Sequence, residues 1–126
     1  MALLILDDEP MVRELLELAL QASGYEVILA QNSADAIAVL DLKPPQHRAL
    51  ITDVNLGDDP VTGWDVARRA REIDPDLPIV YMSGASGHQW PSLGMPGSIL
   101  VTKPFASTQI VAAIGQLLNK PNPALL

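Results

Sequence analysis

The sequence predicts an α/β fold in which a doubly wound, five-stranded parallel sheet carries helices on both faces. Five short, almost wholly apolar runs recur along the 126 residues, as expected of strands that are covered on both sides. Segments with apolar residues at helical spacing separate most of these runs. The length suits one domain with a single core. Alternating strands and helices of this kind are typical of the doubly wound class.

The first apolar run, Leu3–Leu6, predicts the first strand. Pro10 suits the first turn of the helix that follows, and the acidic residues before it can cap that helix. Gly24 provides the helix stop. The apolar stripe of this helix consists of Val12, Leu15, Leu16, Ala19 and Leu20.

The second strand is predicted over Tyr25–Ala30. Either Asn32 or Ser33 can cap the second helix, because both side chains carry an oxygen that accepts from the first turn. The pair Pro44-Pro45 ends this helix. Its apolar positions are Ala36, Ile37 and Leu40.

The third strand, Ala49–Thr52, ends at Asp53. A polar loop from Asn55 to Thr62 leads to Gly63, where the third helix begins. The apolar residues of this helix are Val66, Ala67, Ala70 and Ile73. The Asp-Pro-Asp sequence at 74–76 closes the helix.

The last part of the chain contains two further strands, Ile79–Met82 and Ile99–Val101. Glycine and proline crowd the segment between them, so we expect only one or two turns in place of a full fourth helix. Ser107 is the expected cap of the final helix. The apolar stripe of that helix is Ile110, Val111, Ile114, Leu117 and Leu118. Residues 121–126 are expected to form a frayed tail.

Composition excludes several classes of function. Fifteen acidic residues against eight basic ones give a net charge of −7, which disfavours direct binding to nucleic acid or anionic lipid. The absence of cysteine excludes a disulfide scaffold, a thiol nucleophile and a cysteine zinc site. Apolar runs are too short to span a bilayer, and no signal peptide is evident. We therefore expect a soluble cytoplasmic protein.

Reactive side chains follow four of the five predicted strands. In doubly wound sheets, ligands bind beyond the carboxyl ends of the strands, where strand order reverses. Clustered carboxylates repel one another unless a cation joins them, and a small set of oxygen ligands suits Mg²⁺. An ammonium and a hydroxyl add donors for a phosphoryl oxygen, so the set could accept and hold a phosphoryl group. The residues concerned are Asp7-Asp8-Glu9, Asp53, Ser83 and Lys103.

At these residues the chain closely resembles the receiver domain of two-component response regulators, the CheY-like family. The resemblance covers essentially the whole chain in the family's order and spacing. It implies a flavodoxin-like sheet with strand order 2-1-3-4-5, which the apolar pattern alone does not give. The matching segments are Leu6-Asp7-Asp8-Glu9-Pro10, Thr52-Asp53-Val54-Asn55-Leu56-Gly57, Tyr81-Met82-Ser83-Gly84 and Lys103-Pro104-Phe105.

The resemblance implies that Asp53 is the phosphoacceptor and takes a phosphoryl group from a phosphohistidine. The donor would be a sensor histidine kinase or a histidine phosphotransfer protein. The resemblance also implies a Mg²⁺ site, with Asp8 and Asp53 as direct ligands and Asp7 as a direct or water-mediated ligand. Asn55 would add its backbone carbonyl.

Two further residues acquire roles from the same resemblance. Lys103 would contact the acyl phosphate, and Ser83 would move toward it on activation. The Lys103–Pro104 bond is expected to be cis, as in the family. Such a domain catalyses only its own phosphorylation and dephosphorylation, and the phosphoryl group switches a protein-interaction surface.

The sequence departs from the family pattern at three places. Leu100 stands where many receivers carry a switch tyrosine or phenylalanine. The loop from Asn55 to Gly63 is longer than usual and contains Asp58, Asp59 and Pro60, and the fourth helix is interrupted. We therefore hypothesise normal phosphorylation combined with an atypical output face.

The receiver is expected to occupy residues 1–120, either as a stand-alone regulator or as part of a larger protein, and as a monomer or weak homodimer. Two alternatives stay open: a pseudo-receiver that binds partners without phosphorylation, and a small phosphatase with an aspartate nucleophile. Asn55 disfavours the phosphatase, because such enzymes generally need a second carboxylate at that position. His47 and His88 are expected at the surface, and Trp90 suits either a core or a partner contact.

Overall fold

A computed structural model describes residues 1–119 and contains five strands and five helices. The strands are β1 (Ala2–Leu6), β2 (Val27–Ala30), β3 (His47–Asp53), β4 (Ile79–Ser83) and β5 (Ile99–Thr102). The helices are α1 (Pro10–Ala22), α2 (Ser33–Leu40), α3 (Gly63–Ile73), α4 (Trp90–Leu93) and α5 (Ser107–Leu118). All strand pairs are parallel, and the order is β2-β1-β3-β4-β5. The predicted fold class and strand order are confirmed.

Two apolar layers cover the sheet, one on each face. Successive residues of β1 point to opposite faces, so Leu3 and Ile5 pack with α1 and α5, whereas Leu4 and Leu6 pack with α2 and α3. All five residues of β1 are buried. Double coverage explains why this central strand is an unbroken apolar run.

The helix starts are only partly as predicted. Pro10 lies in the first turn of α1, but the preceding Glu9 makes no side-chain capping bond. Asn32 caps α2 by accepting from the backbone N–H of Asp35 at 2.8 Å. Ser107 is not the cap of α5: the N-cap residue is Ala106, whose backbone N–H donates to the side chain of Gln109 at 2.8 Å.

Three residues lie at a different depth from the one predicted. His47 was expected at the surface, but β3 begins there and only 4% of the residue is exposed. Leu15 and Ile73 were assigned to apolar stripes, yet they are 46% and 38% exposed. Periodicity identifies the apolar side of a helix but not its centre, which in α1 passes through Leu16 and Leu20.

The segment between β4 and β5 is short and irregular, as predicted. A 3-10 turn at Gly87–Gln89 leads into the four-residue α4. Trp90 packs against the core, and its ring N–H donates to the hydroxyl of Ser98 at 3.0 Å. The tail predicted at residues 121–126 lies outside the described residues. Among the helices within residues 1–119, none is both long and apolar enough to cross a membrane.

Candidate functional site

The sheet reverses its strand order between β1 and β3, and three carboxylates meet there. Asp7 and Asp8 directly follow β1, while Asp53 is the last residue of β3. The two strands are adjacent and in register, with Leu6 opposite Thr52. One oxygen from each of the three carboxylates lies within 4.8 Å of the other two. The sheet topology thus brings together residues that are 46 positions apart (53 − 7).

Lys103 reaches this cluster from the edge strand β5. Its backbone N–H donates to the carbonyl of Ser83 at 2.8 Å, which fixes the start of the side chain beside β4. The Nζ atom lies 3.1 Å from Oδ2 of Asp53, 3.5 Å from Oδ2 of Asp7 and 4.0 Å from Oε1 of Glu9. One ammonium group therefore faces three carboxylates.

Burial makes this charge distribution costly. Asp7 is fully buried and Asp53 is 5% exposed, whereas Asp8 is exposed. Desolvation, and after it the negative charge of Asp7, raises the pKa of Asp53 to about 6 despite the opposing effect of Lys103. Desolvation also raises the pKa of Asp7. Burial acts to lower the pKa of Lys103, but Asp53 and Asp7 outweigh it and raise that pKa.

Backbone contacts fix the orientation of Asp7. Its Oδ1 accepts from the backbone N–H of Glu9 at 2.8 Å, and the guanidinium of Arg13 donates to its carbonyl at 2.7 Å. The other carboxylate oxygen, Oδ2, is buried and has no hydrogen-bond partner among the described residues. Buried acceptors are nearly always paired. This oxygen lies 3.5 Å from the Lys103 ammonium and beside two further carboxylates. Carboxylate oxygens are the ligands that Mg²⁺ prefers, so these residues fit the ion.

Ser83 and Asn55 lie on neighbouring parts of the same edge. Ser83 ends β4, next to β3, and its hydroxyl is buried without a hydrogen-bond partner in the described part of the chain. Asn55 is exposed, and its amide donates to the hydroxyl of Ser86 at 3.0 Å, joining the loops that follow β3 and β4. The oxygens of Asp7, Asp8 and Asp53 thus lie within 4.8 Å of one another, Lys103 contacts Asp7 and Asp53, and the Ser83 hydroxyl lies on the strand next to β3. The Lys103–Pro104 bond is cis, as predicted.

Two glycines to which sequence reasoning gave no role in the site shape its walls. At Gly63, a Cβ atom would overlap the backbone carbonyl oxygen of Asp53. At Gly57, where φ is +62°, a Cβ atom would lie 2.8 Å from Oδ2 of Asp8. Both positions thus let a backbone approach an acidic residue closely. The available signal was the presence of one glycine within the loop after Asp53 and another directly after it.

A parallel sheet of this order with acidic residues and a lysine at the switch point defines a receiver-type domain. The sequence model of the response regulator receiver domain matches residues 3–115. The chain therefore belongs to the response regulator receiver domain family of two-component systems, as the sequence motifs indicated.

Individual relatives agree with this assignment. The chain is 32% identical to the phosphate regulon transcriptional regulatory protein PhoB of Pseudomonas aeruginosa, over 96% of this chain and 53% of PhoB. It is 31% identical to the transcriptional regulatory protein TrcR of Mycobacterium tuberculosis, over 93% of this chain and 45% of TrcR. The chain thus spans about half the length of these curated relatives. A response regulator receiver protein from Sinorhizobium medicae matches with a TM-score of 0.89, 40% identity and 94% coverage of each chain.

Proposed function

We propose that this receiver domain accepts a phosphoryl group from a phosphohistidine onto Asp53, in a Mg²⁺-dependent reaction, and that the acyl phosphate switches a protein-interaction surface. One observation carries the proposal. A carboxylate oxygen of Asp53 lies 3.1 Å from the Lys103 ammonium and within 4.8 Å of oxygens from two further carboxylates. This arrangement combines a nucleophile with a place for a divalent cation and a donor for the transferred group.

In the proposed step, a carboxylate oxygen of Asp53 attacks phosphorus. The phosphorus–nitrogen bond of the donor breaks, its electron pair stays on the imidazole nitrogen, and that nitrogen takes a proton from water. Asp7, Asp8, Asp53 and the backbone carbonyl of Asn55 would hold Mg²⁺. When bound, the ion supplies positive charge that stabilises the phosphoryl oxygens in the transition state.

Lys103 and Ser83 complete the proposed site. The ammonium of Lys103 would pair with a phosphoryl oxygen, and its present contact with Asp53 already holds it at the acceptor. The buried Ser83 hydroxyl would donate to another phosphoryl oxygen and thereby gain the partner that it lacks. Both groups would thus place a donor where the transferred phosphoryl oxygens carry negative charge.

Apolar surface beside the site supports docking of a sensor histidine kinase or a histidine phosphotransfer protein. Met11 and Leu15 on α1 are 82% and 46% exposed. A cavity of about 390 Å³ separates α1 from the start of the β5–α5 loop and is lined partly by Lys103 itself. A donor seated there would bring its phosphohistidine to the edge of the acidic cluster. Its lining residues are Glu9, Val12, Leu15, Lys103, Pro104 and Phe105.

Residues 1–120 would form the receiver. The charge of −7 supports contacts with proteins rather than direct contacts with nucleic acid. The kinase donor implies a cytoplasmic location, and turnover would be limited to the domain's own phosphorylation and dephosphorylation.

Intact mass spectrometry tests the proposal directly. The protein is incubated with Mg²⁺ and acetyl phosphate, with an EDTA control, beside Asp53→Asn and the matched control Asp58→Asn. Asp58 is an exposed carboxylate in the loop after Asp53. We expect one added phosphoryl group on the wild type and on Asp58→Asn, and none on Asp53→Asn. An unlabelled wild type would instead identify a pseudo-receiver, and multiple turnover of phosphomonoesters would identify a phosphatase.

A further inference from the structure

Asp59 ties the loop between β3 and α3 to the start of α2. Its Oδ2 accepts from the backbone N–H of Ser33 at 2.8 Å, and its Oδ1 accepts from the backbone N–H of Val61 at 3.0 Å. Its own backbone N–H donates to the carbonyl of Leu56 at 3.1 Å, which closes a tight turn. Both carboxylate oxygens are thus engaged, one of them with a helix 26 residues away in sequence.

The turn that Asp59 closes places Gly57 against the acidic cluster. Leu56 is buried in the core, which anchors one end of the turn, and Asp59 anchors the other. Between them, Gly57 adopts a φ of +62°, and a Cβ atom there would lie 2.8 Å from Oδ2 of Asp8. The loop backbone therefore forms a wall beside the one exposed carboxylate of the three in the cluster.

We propose that Asp59 is a positioning residue for the cation site: by clamping this loop to α2, it holds the Gly57 wall against Asp8 and so sets the affinity for Mg²⁺. This inference rests on the proposed Mg²⁺-dependent function. Asp8 is exposed, so burial does little to restrict its side chain, and the neighbouring wall limits the positions open to its carboxylate. Release of the clamp would let the wall move and would add a conformational cost to each binding event.

A purely structural role for Asp59 makes a different prediction. A carboxylate that bonds the N-terminus of a helix stabilises that helix, so its loss would lower the unfolding free energy without changing the affinity of the folded protein for Mg²⁺. A purely electrostatic role would be shared by Asp58, which carries the same charge next to it in the sequence. The two alternatives are therefore separable by measuring affinity in matched variants.

Isothermal titration calorimetry with MgCl₂ measures the Mg²⁺ affinity of five proteins. They are wild type, Asp59→Asn, Asp58→Asn, Ser33→Pro and the Ser33→Pro/Asp59→Asn double variant. Ser33→Pro removes the N–H that Asp59 accepts from. Proline suits this site, because Ser33 is the first residue of α2 and Asn32 before it is extended, with φ −150° and ψ 171°. Thermal unfolding in EDTA checks that each variant is folded.

We expect Asp59→Asn and Ser33→Pro each to weaken Mg²⁺ binding by about threefold to tenfold, less than the loss of a group that bonds a metal ligand directly. Asp58→Asn is expected to stay within about twofold of wild type, because its charge acts through solvent. The double variant is expected to bind Mg²⁺ no more weakly than the more affected single variant, since both substitutions act on the same contact, the one between Asp59 and Ser33.

Two results would overturn the inference. If wild type binds Mg²⁺ and Asp59→Asn has the same Mg²⁺ affinity as Asp58→Asn, Asp59 does not position the site. The proposed function stands in that case, whatever the affinity of Ser33→Pro. If wild type itself binds no Mg²⁺, the cation-dependent function and the inference both fall.

Discussion

Replacing Asp53 with asparagine is expected to stabilise the metal-free protein at neutral pH. The carboxyl of Asp53 has a pKa raised to about 6 in the folded chain, from an ordinary value of 3.8. That difference corresponds to about 3 kcal/mol of folding free energy once the group is ionised in both states. Asparagine removes the charge but keeps the shape of the side chain and an oxygen that accepts from Lys103.

The sign of the pH dependence follows from which state holds the proton. Between pH 3.8 and about 6 the folded chain binds the Asp53 proton and the unfolded chain releases it. The contribution of this group to stability therefore falls as pH rises through that window and stays constant above it. The raised pKa of Asp7 acts in the same direction. Lys103 keeps a hydrogen-bond acceptor in Asp53→Asn but loses one of its negatively charged partners, so we expect a net gain of about 1–3 kcal/mol at neutral pH and almost none near pH 4.

Urea unfolding in EDTA, followed by tryptophan fluorescence at several pH values, measures this difference. Asp58→Asn is the control, because it removes an exposed charge outside the cluster. Saturating Mg²⁺ is expected to stabilise wild type by about 2.7 kcal/mol at one hundred times the dissociation constant, and Asp53→Asn by much less. The reasoning would be refuted if Asp53→Asn were less stable than wild type in EDTA at neutral pH, or if the difference did not change with pH.

Three further substitutions test other parts of the structure. Lys103→Gln is expected to slow labelling by acetyl phosphate on the order of a hundredfold. It is also expected to raise the pKa of Asp53 further, which carbon NMR of that carboxyl would detect. An unchanged pKa would contradict the 3.1 Å contact between Lys103 and Asp53. Gly63→Ala is expected to cost about 1–3 kcal/mol in urea unfolding, because the new Cβ meets the Asp53 carbonyl, whereas the control Gly115→Ala in α5 is expected to be neutral or stabilising by up to about 1 kcal/mol. Burial lowers the pKa of His47 in the folded chain, so below pH 6.5 the unfolded chain binds the His47 proton first. The free energy of unfolding therefore falls as pH falls below 6.5. His47→Leu in the Asp53→Asn background is expected to flatten that acid dependence, and an unchanged slope of unfolding free energy against pH would refute it.

The sequence predicted the cluster because the residues concerned stand at strand ends. Each apolar run is short enough to define where its strand stops, so Asp7, Asp53 and Ser83 could be placed at one edge without knowing any contact. Lys103 was assigned to the site for the same reason, and in the structure its long side chain spans β4 from the end of β5 to reach Asp53. Order 2-1-3-4-5 came from family resemblance, because apolar periodicity does not tell which strands are neighbours.

The errors concern features that depend on tertiary context. Ser107 is a good cap by composition, but the chain enters α5 one residue earlier and Gln109 supplies the bond. His47 was expected at the surface because it has no partner residues at metal-ligand spacing, although strand pairing with Ala2 extends β3 to it. The Asp59–Ser33 contact could not be predicted, because it joins an irregular loop to a helix that precedes it by a whole strand.

Leu100 stands at the position where many receivers carry an aromatic residue. It pairs with Tyr81 in the β4–β5 register and packs in the cluster that includes Trp90 and Met95. A leucine has no hydroxyl or ring to exchange between a buried and an exposed position. Tyr81 has both, but its hydroxyl accepts from the backbone N–H of Met95 at 3.1 Å and its ring is buried. Since Tyr81 precedes Ser83 by two residues on the same face of β4, the segment at Met95 is linked to the proposed site through one strand and one hydrogen bond, without an aromatic group at position 100.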